Sequence, residues 1–359
     1  MIPLLVDLEE QWRGGQNQFY LLLKGLRERG HAAELLAAKD SVLGRRAAQA
    51  GISVHYTSRH AWRLSAARKV RQLMGEGRFD LVHVNESHAL SAAWMARAHR
   101  RSPLLISRRV GFPLRPGYFS RARFDAARRI IASSRWVAEQ AVRSGVQRPK
   151  LTVIYEGVEI PPAFDGAARQ ADRARWNVHG SDSLLGCAGV LLESKGQEWV
   201  IRALAKLRAE FPNCKLLLAG EGPDRRRLQQ LAAELEIEDA VIFAGFVADI
   251  EAFYRATDIF VFPALFEGLG TSLLAAMAHQ VPAVTYFGCA LGEIVENGVS
   301  GLQVEPRNPQ ALADALRKLL EDAGFAAQIA SAGRERIARL FSADRMVEET
   351  LGLYREVCH

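Results

Sequence analysis

Short apolar runs alternate with longer segments of mixed polarity along most of this chain, a succession that predicts parallel strands separated by helices. Pro3-Leu4-Leu5-Val6-Asp7 reads as the first strand, with further strands expected at 33–36, 53–56, 80–84, 104–107, 129–133 and 152–155. A helix is expected from near Gln16, with Phe19, Leu22, Leu23 and Leu26 as its buried stripe and Gly30 as its stop. A second series of strands is expected at 184–188, 215–218, 241–243, 259–262 and 283–285. The unbroken apolar character of 259–262 suits a central strand covered on both faces.

At 359 residues the chain is long enough for two cores. Between the two series the composition changes at Pro161-Pro162 and stays polar through Asp182-Ser183, which places a linker there. The expected division is 1–160, 161–340, and a helical tail at 341–359 that crosses back to the first domain. Cys187, Cys214, Cys289 and Cys358 are widely separated, with neither a thiol pair nor a zinc spacing, so reduced cysteines are expected.

Glu9 and Glu10 interrupt the first apolar run, and no apolar stretch reaches membrane-spanning length. A cytoplasmic protein is expected, with any membrane association peripheral. The formal charge of +7 favours anionic partners, an anionic substrate or the inner-membrane surface among them. Arginines are frequent from Arg97 to Arg148 and read equally as an anion-binding face or a solvated surface. They come with no recognition motif or aromatic stacking platform, so nucleic acid is not expected as a partner.

The chemistry concentrates where strands end. Phe260-Val261-Phe262 runs into Glu267-Gly268-Leu269-Gly270-Thr271, placing a carboxylate and free backbone donors at a strand's carboxyl end, where open parallel sheets bind ligands. Glu267 can accept hydrogen bonds from neutral hydroxyls; an acidic helix start with no ligand has the same sequence. Gly14 and Gly15 follow the first strand, and Lys195 and Gly196 stand at the comparable place in the second series. Gly220-Glu221-Gly222-Pro223 forms another turn after a strand, and Phe246-Val247 offers a small apolar wall. His83, Glu86 and His88 lie at the end of the 80–84 strand. The paired Arg108 and Arg109 follow the next strand and remain cationic at neutral pH.

Taken in order, Gly14-Gly15, Asp80-Leu81-Val82-His83, Gly157-Val158, Lys195-Gly196, Gly220-Glu221-Gly222-Pro223, Glu267-Gly268-Leu269-Gly270 and Glu293-Ile294-Val295 resemble the retaining, nucleotide-sugar-dependent glycosyltransferases of family 4. The resemblance implies the α/β GT-B fold, two Rossmann-like domains facing a cleft, the first holding the acceptor and the second the nucleotide sugar. It implies that Lys195 stabilises the departing phosphate and Glu267 holds the donor sugar. Gly14, Gly15, Gly196, Glu221, Val247, Gly268, Leu269, Gly270 and Thr271 would line the donor, and His83, Glu86, His88, Arg108 and Arg109 the acceptor side. No cofactor is implied beyond the nucleoside-diphosphate-sugar substrate, and no DxD pair points to a metal. The implied product is a cell-envelope glycan or glycolipid, lipopolysaccharide core among them. A non-catalytic nucleotide-sugar-binding protein and a sugar-nucleotide epimerase are the alternatives.

Two departures stand out. The family's acidic signature has a second glutamate where this chain has Ala275, and Val190 stands where an arginine commonly precedes the lysine.

Overall fold

A computed structural model describes residues 1–57, 62–114, 117–162 and 166–359. Residues 163–165, within the expected linker, lie outside the described residues. The chain forms two compact units, Met1–Gly157 with Ser342–His359, and Val158–Phe341.

The first unit carries β1 (Pro3–Asp7), β2 (Glu34–Ala38), β3 (Ser53–Thr57), β4 (Leu81–Val84), β5 (Leu104–Arg108), β6 (Arg129–Ala132) and β7 (Leu151–Val153). They form one parallel sheet in the order β3-β2-β1-β4-β5-β6-β7. Every residue of β1 is buried, because successive side chains feed cores on opposite faces. Leu4 and Val6 join Val82, Val84, Leu104 and Ile106 on one side. Leu5 joins Phe19, Leu23 and Leu26 of the helix Gly14–Glu28 on the other. That helix ends at Gly30, whose φ of +76° lets the last carbonyls accept from its own N–H and that of His31.

The last helix, Ala343–Cys358, seals the same core with Met346, Val347, Leu351 and Tyr354. It lies so close to the first helix that a Cβ on Gly25 would sit 2.5 Å from Val347.

The second unit carries β8 (Ser183–Ala188), β9 (Cys214–Ala219), β10 (Val241–Gly245), β11 (Ile259–Phe262), β12 (Ala283–Tyr286) and β13 (Leu302–Val304). They too are parallel, in the order β10-β9-β8-β11-β12-β13. Leu185, Leu216, Leu218, Val261 and Val284 pack against the helices Gln197–Leu207 and Pro309–Glu321. β13 has no counterpart among the expected strands.

In both sheets the strand order reverses once, between β1 and β4 and between β8 and β11. A crevice opens at such a reversal beyond the carboxyl ends of the strands, because the connections on either side leave for opposite faces.

Candidate functional site

In the second unit the loops leaving β8 and β11 are tied together at the reversal. The backbone N–H of Leu265 donates to the carbonyl of Ser194 at 2.9 Å. Gly196 has a φ of +71°, and a Cβ there would lie 2.1 Å from the carbonyl oxygen of Pro263. This close approach places Lys195 opposite Glu267, and the ammonium donates to Oε2 of the carboxylate. Their side chains keep 25% and 20% of their exposure, so the pair stands at the surface of the crevice and is open to a ligand.

The helices that start here, Gln197–Leu207 after Gly196 and Thr271–Ala278 after Gly270, have no side-chain cap. Elsewhere Ser41, Ser134, Asp249 and Asn308 cap helix starts with their side chains. The two uncapped starts leave first-turn N–H groups for an anion. Gly268 and Thr271 belong to this start, whereas the Leu269 side chain is 1% exposed and packs inward, leaving only its backbone to the site.

The turn after β9 serves chiefly to bring backbones together. A Cβ on Gly220 would meet the Gly189 carbonyl at 2.0 Å, and Leu191 donates its N–H to the Glu221 carbonyl at 3.0 Å. The Glu221 side chain remains exposed beside this turn. Phe246, just past β10, is 75% exposed with Val247 half-buried beside it. Val190 is also exposed, and Ala275 lies one turn inside the helix Thr271–Ala278.

In the first unit the reversal is filled by a polar network that sequence reasoning missed. Asp7 at the end of β1 is wholly buried, and its carboxylate accepts from Gln16 Nε2 at 2.9 Å, Asn85 Nδ2 at 2.5 Å and the Glu9 N–H at 3.0 Å. Burial, partly offset by these bonds, raises the Asp7 pKa. Asn85 also donates to the Gly15 carbonyl at 3.1 Å. On the far side Arg109 donates to Asn85 Oδ1 at 3.2 Å and to Glu156 Oε1 at 3.1 Å. Gly15 stands against the Arg109 side chain. Gly14 and Gly15 open the helix Gly14–Glu28, again with no side-chain cap. The available signal was an acid or amide ending each of two apolar strands, Asp7 and Asn85.

Glu86 caps the helix Ser87–Met95, accepting from the Ala89 N–H at 2.7 Å and from that of His88. Burial, with Asp7 and Glu9 nearby, pushes its carboxyl up to about 7. Glu9, Glu86 and His88 form a trio of potential metal ligands, with ligand atoms within 4.8 Å of one another. His88 Nδ1 also faces the Arg63 guanidinium at 2.8 Å.

Two sequence expectations are corrected by placement. His83 is 1% exposed; Nδ1 pairs with the Tyr354 hydroxyl at 2.6 Å and Nε2 with Ser107 Oγ at 2.9 Å, so neither ring nitrogen faces an acceptor. Burial, with the Arg109 charge adding to it, pulls its pKa down to about 3. Arg108 is 7% exposed, donates to the Phe112 carbonyl and lies 5.8 Å over the Phe124 ring. Arg108 packs inward, whereas Arg109 lines the network at the strand reversal.

Residues 12–160 match the family model for Glycosyltransferase Family 4, and residues 168–336 that for Glycosyl transferases group 1. An uncharacterized glycosyltransferase of Methanocaldococcus jannaschii is 31% identical over 212 residues, covering 57% of this chain and 54% of the relative. The match thus spans little more than half of that relative's length. The lipopolysaccharide core biosynthesis glycosyltransferase LpsE of Rhizobium meliloti is 27% identical over 268 residues, covering 73% of this chain and 74% of the relative. Among solved structures, Anabaena HepE in complex with UDP-glucose superposes with a TM-score of 0.83 at 25% identity, covering 98% of this chain and all of that one. A glycosyltransferase from Rickettsia africae superposes at 0.88 with 19% identity, covering 99% and 98%. The fold is GT-B.

Proposed function

The chain belongs to the family 4, group 1 glycosyltransferases, and from that premise we propose that it is a retaining enzyme using a nucleoside-diphosphate sugar. The acceptor is a hydroxyl of a cell-envelope glycan or glycolipid, such as lipopolysaccharide core. This assignment of acceptor draws on the name of the Rhizobium meliloti relative. The nucleotide-sugar donor draws on the UDP-glucose complex of the Anabaena protein. The enzyme works in the cytoplasm, peripheral to the inner membrane.

The observation that carries the reading is the Lys195–Glu267 pair between two uncapped helix starts at the reversal of the second sheet. A partly exposed ion pair contributes only about 0–1 kcal/mol, so exchanging Glu267 for a diphosphate on the ammonium costs little. The exchange frees the carboxylate for sugar hydroxyls while Lys195 and the first-turn N–H groups take the charge that develops on the leaving phosphate. The acceptor hydroxyl attacks from the leaving-group side, and the departing phosphate takes its proton. Phe246 and Val247 supply an apolar wall for the base, and Glu221 reaches the ribose. In the first unit Arg109, Glu86 and His88 receive the acceptor, and the open helix start at Gly14-Gly15 is kept for the donor phosphates.

The test is a screen of nucleotide sugars against envelope acceptors with structural identification of the product. A new glycosidic bond with the donor's anomeric configuration is expected. An epimerised sugar nucleotide, or an inverted linkage, would overturn the proposal. The proposed chemistry needs no metal, so activity is expected to persist after exhaustive chelation; specific rescue by a divalent ion would show otherwise.

Val190, which is exposed, and Ala275, which stands where the family's signature has a second glutamate, favour a second reading, a protein that binds nucleotide sugar without turning it over. Tight donor binding with no transfer to any acceptor would select it.

A further inference from the structure

Arg225 opens the helix Arg225–Glu234, just past the 220–223 turn, and among the described residues no carboxylate pairs with it. Its neighbour Arg227, by contrast, is taken up by Glu198 and Asp224. The Arg225 guanidinium is nonetheless fixed in place. Nη2 donates to the Phe243 carbonyl at 3.2 Å, and the group lies 5.7 Å over the Phe243 ring. That one bond leaves most of its N–H groups unspent.

Gly245 keeps those groups open. A Cβ there would lie 3.6 Å from Arg225 Nη1 and 3.7 Å from Glu221 Oε1, and φ is +68°, so glycine both permits the turn and leaves the space uncovered. The Gly220 N–H donates to the Gly245 carbonyl at 2.7 Å, drawing the turns after β9 and β10 together. Glu221 and Arg225 therefore flank one glycine, and Phe246, the next residue, carries its ring 75% exposed. An exposed ring beside a fixed cation with no counter-charge is a platform for a planar group whose edge accepts hydrogen bonds.

We infer that Arg225 reads the base of the donor nucleotide and selects one with a keto oxygen where its counterpart has an amino group, uracil over cytosine or guanine over adenine. A guanidinium only donates. It can meet the O4 atom of uracil or the O6 atom of guanine, whereas the amino groups of cytosine and adenine set N–H against N–H. The base stacks on Phe246 while Glu221, across Gly245, takes the ribose hydroxyls. The inference rests on the nucleotide-sugar donor proposed for this site and adds the class of base, which Lys195 and the helix starts do not distinguish.

The experiment is calorimetric titration of the full chain with UDP against CDP and with GDP against ADP. In at least one pair the keto nucleotide is expected to bind about tenfold or more tightly than the amino one, the usual worth of a charged contact to a base edge. Arg225→Gln, which can both donate and accept, should bring that ratio close to one by weakening the keto nucleotide, and should leave the affinity for inorganic pyrophosphate unchanged. Arg225→Ala should do the same, and a thermal melt of each variant checks its fold. Equal affinities within both pairs in the wild type would overturn the inference whether or not the variants fold. An unchanged ratio in the variants would overturn it too, as would a loss shared by every nucleotide and pyrophosphate, because Arg225 would then attract anions in general. Failure of the wild type to bind any of these nucleotides would bring down the nucleotide-sugar reading itself, whereas binding without discrimination sinks only the choice of base.

Discussion

Lys195 and Glu267 are separated by 72 positions in the chain and meet through one ion pair. Both were legible in the sequence, because each sits in a short motif at the end of an apolar run. Lys195→Ala is expected to lower turnover by about a hundred- to a thousandfold while the fold persists, the usual loss when one transition-state donor is removed; steady-state kinetics beside a thermal melt would check it. Val190→Arg places a cation on a side chain already in solvent and should tighten nucleotide binding several-fold by calorimetry. The Asp7, Asn85 and Glu156 network was not legible, since Asn85 meets Asp7 across 78 residues and Glu156 meets Arg109 across 47. His83 misled for the same reason, its partner Tyr354 lying 271 positions away. Its pKa falls from 6.5 unfolded to about 3 folded, so between those values the unfolded chain binds more protons and acid removes stability. The stability advantage of wild type over His83→Asn should therefore shrink as pH falls below 6.5, at up to about 1.4 kcal/mol per pH unit. Glu86 has the opposite sign: raised from 4.5 to about 7, it gains stability for the fold as pH falls through that window. Glu86→Gln should consequently make acid destabilisation steeper in urea titrations.

The elements themselves were written plainly in the periodicity, and twelve of the thirteen strands among the described residues coincide with expected runs. β13 escaped because Leu302-Gln303-Val304 is followed at once by Glu305-Pro306, whereas the equally short edge strand β7 continues into Ile154-Tyr155 and so reads as a longer apolar run. Strand order lay beyond local pattern, since it depends on which crossovers pack, and it is the order that makes the reversal and gathers the site. Gly196, expected as a ligand contact, joins two loops in the structure. Gly196→Ala should cost about 2 kcal/mol or more, from the positive φ and the clash with the Pro263 carbonyl together. Because the same step displaces Lys195, denaturant melts and turnover should fall together.

Across the whole molecule, charge is uneven along the chain, which a net value of +7 conceals. The stretch between Glu86 and Asp125, with eight arginines and no acid, was visible in the sequence, but the exposure of Phe112, Tyr118 and Phe119 within it was not, because an apolar residue in sequence carries no mark of whether a core will cover it. The chain leaves its first unit after Gly157 and returns to it at Ser342. On a ribosome, therefore, residues 1–157 emerge with Phe19, Leu23 and Leu26 still short of the helix that seals them and His83 without its tyrosine. Residues 158–341 leave the ribosome ahead of that helix, so the second unit can close its core while the first still lacks a wall.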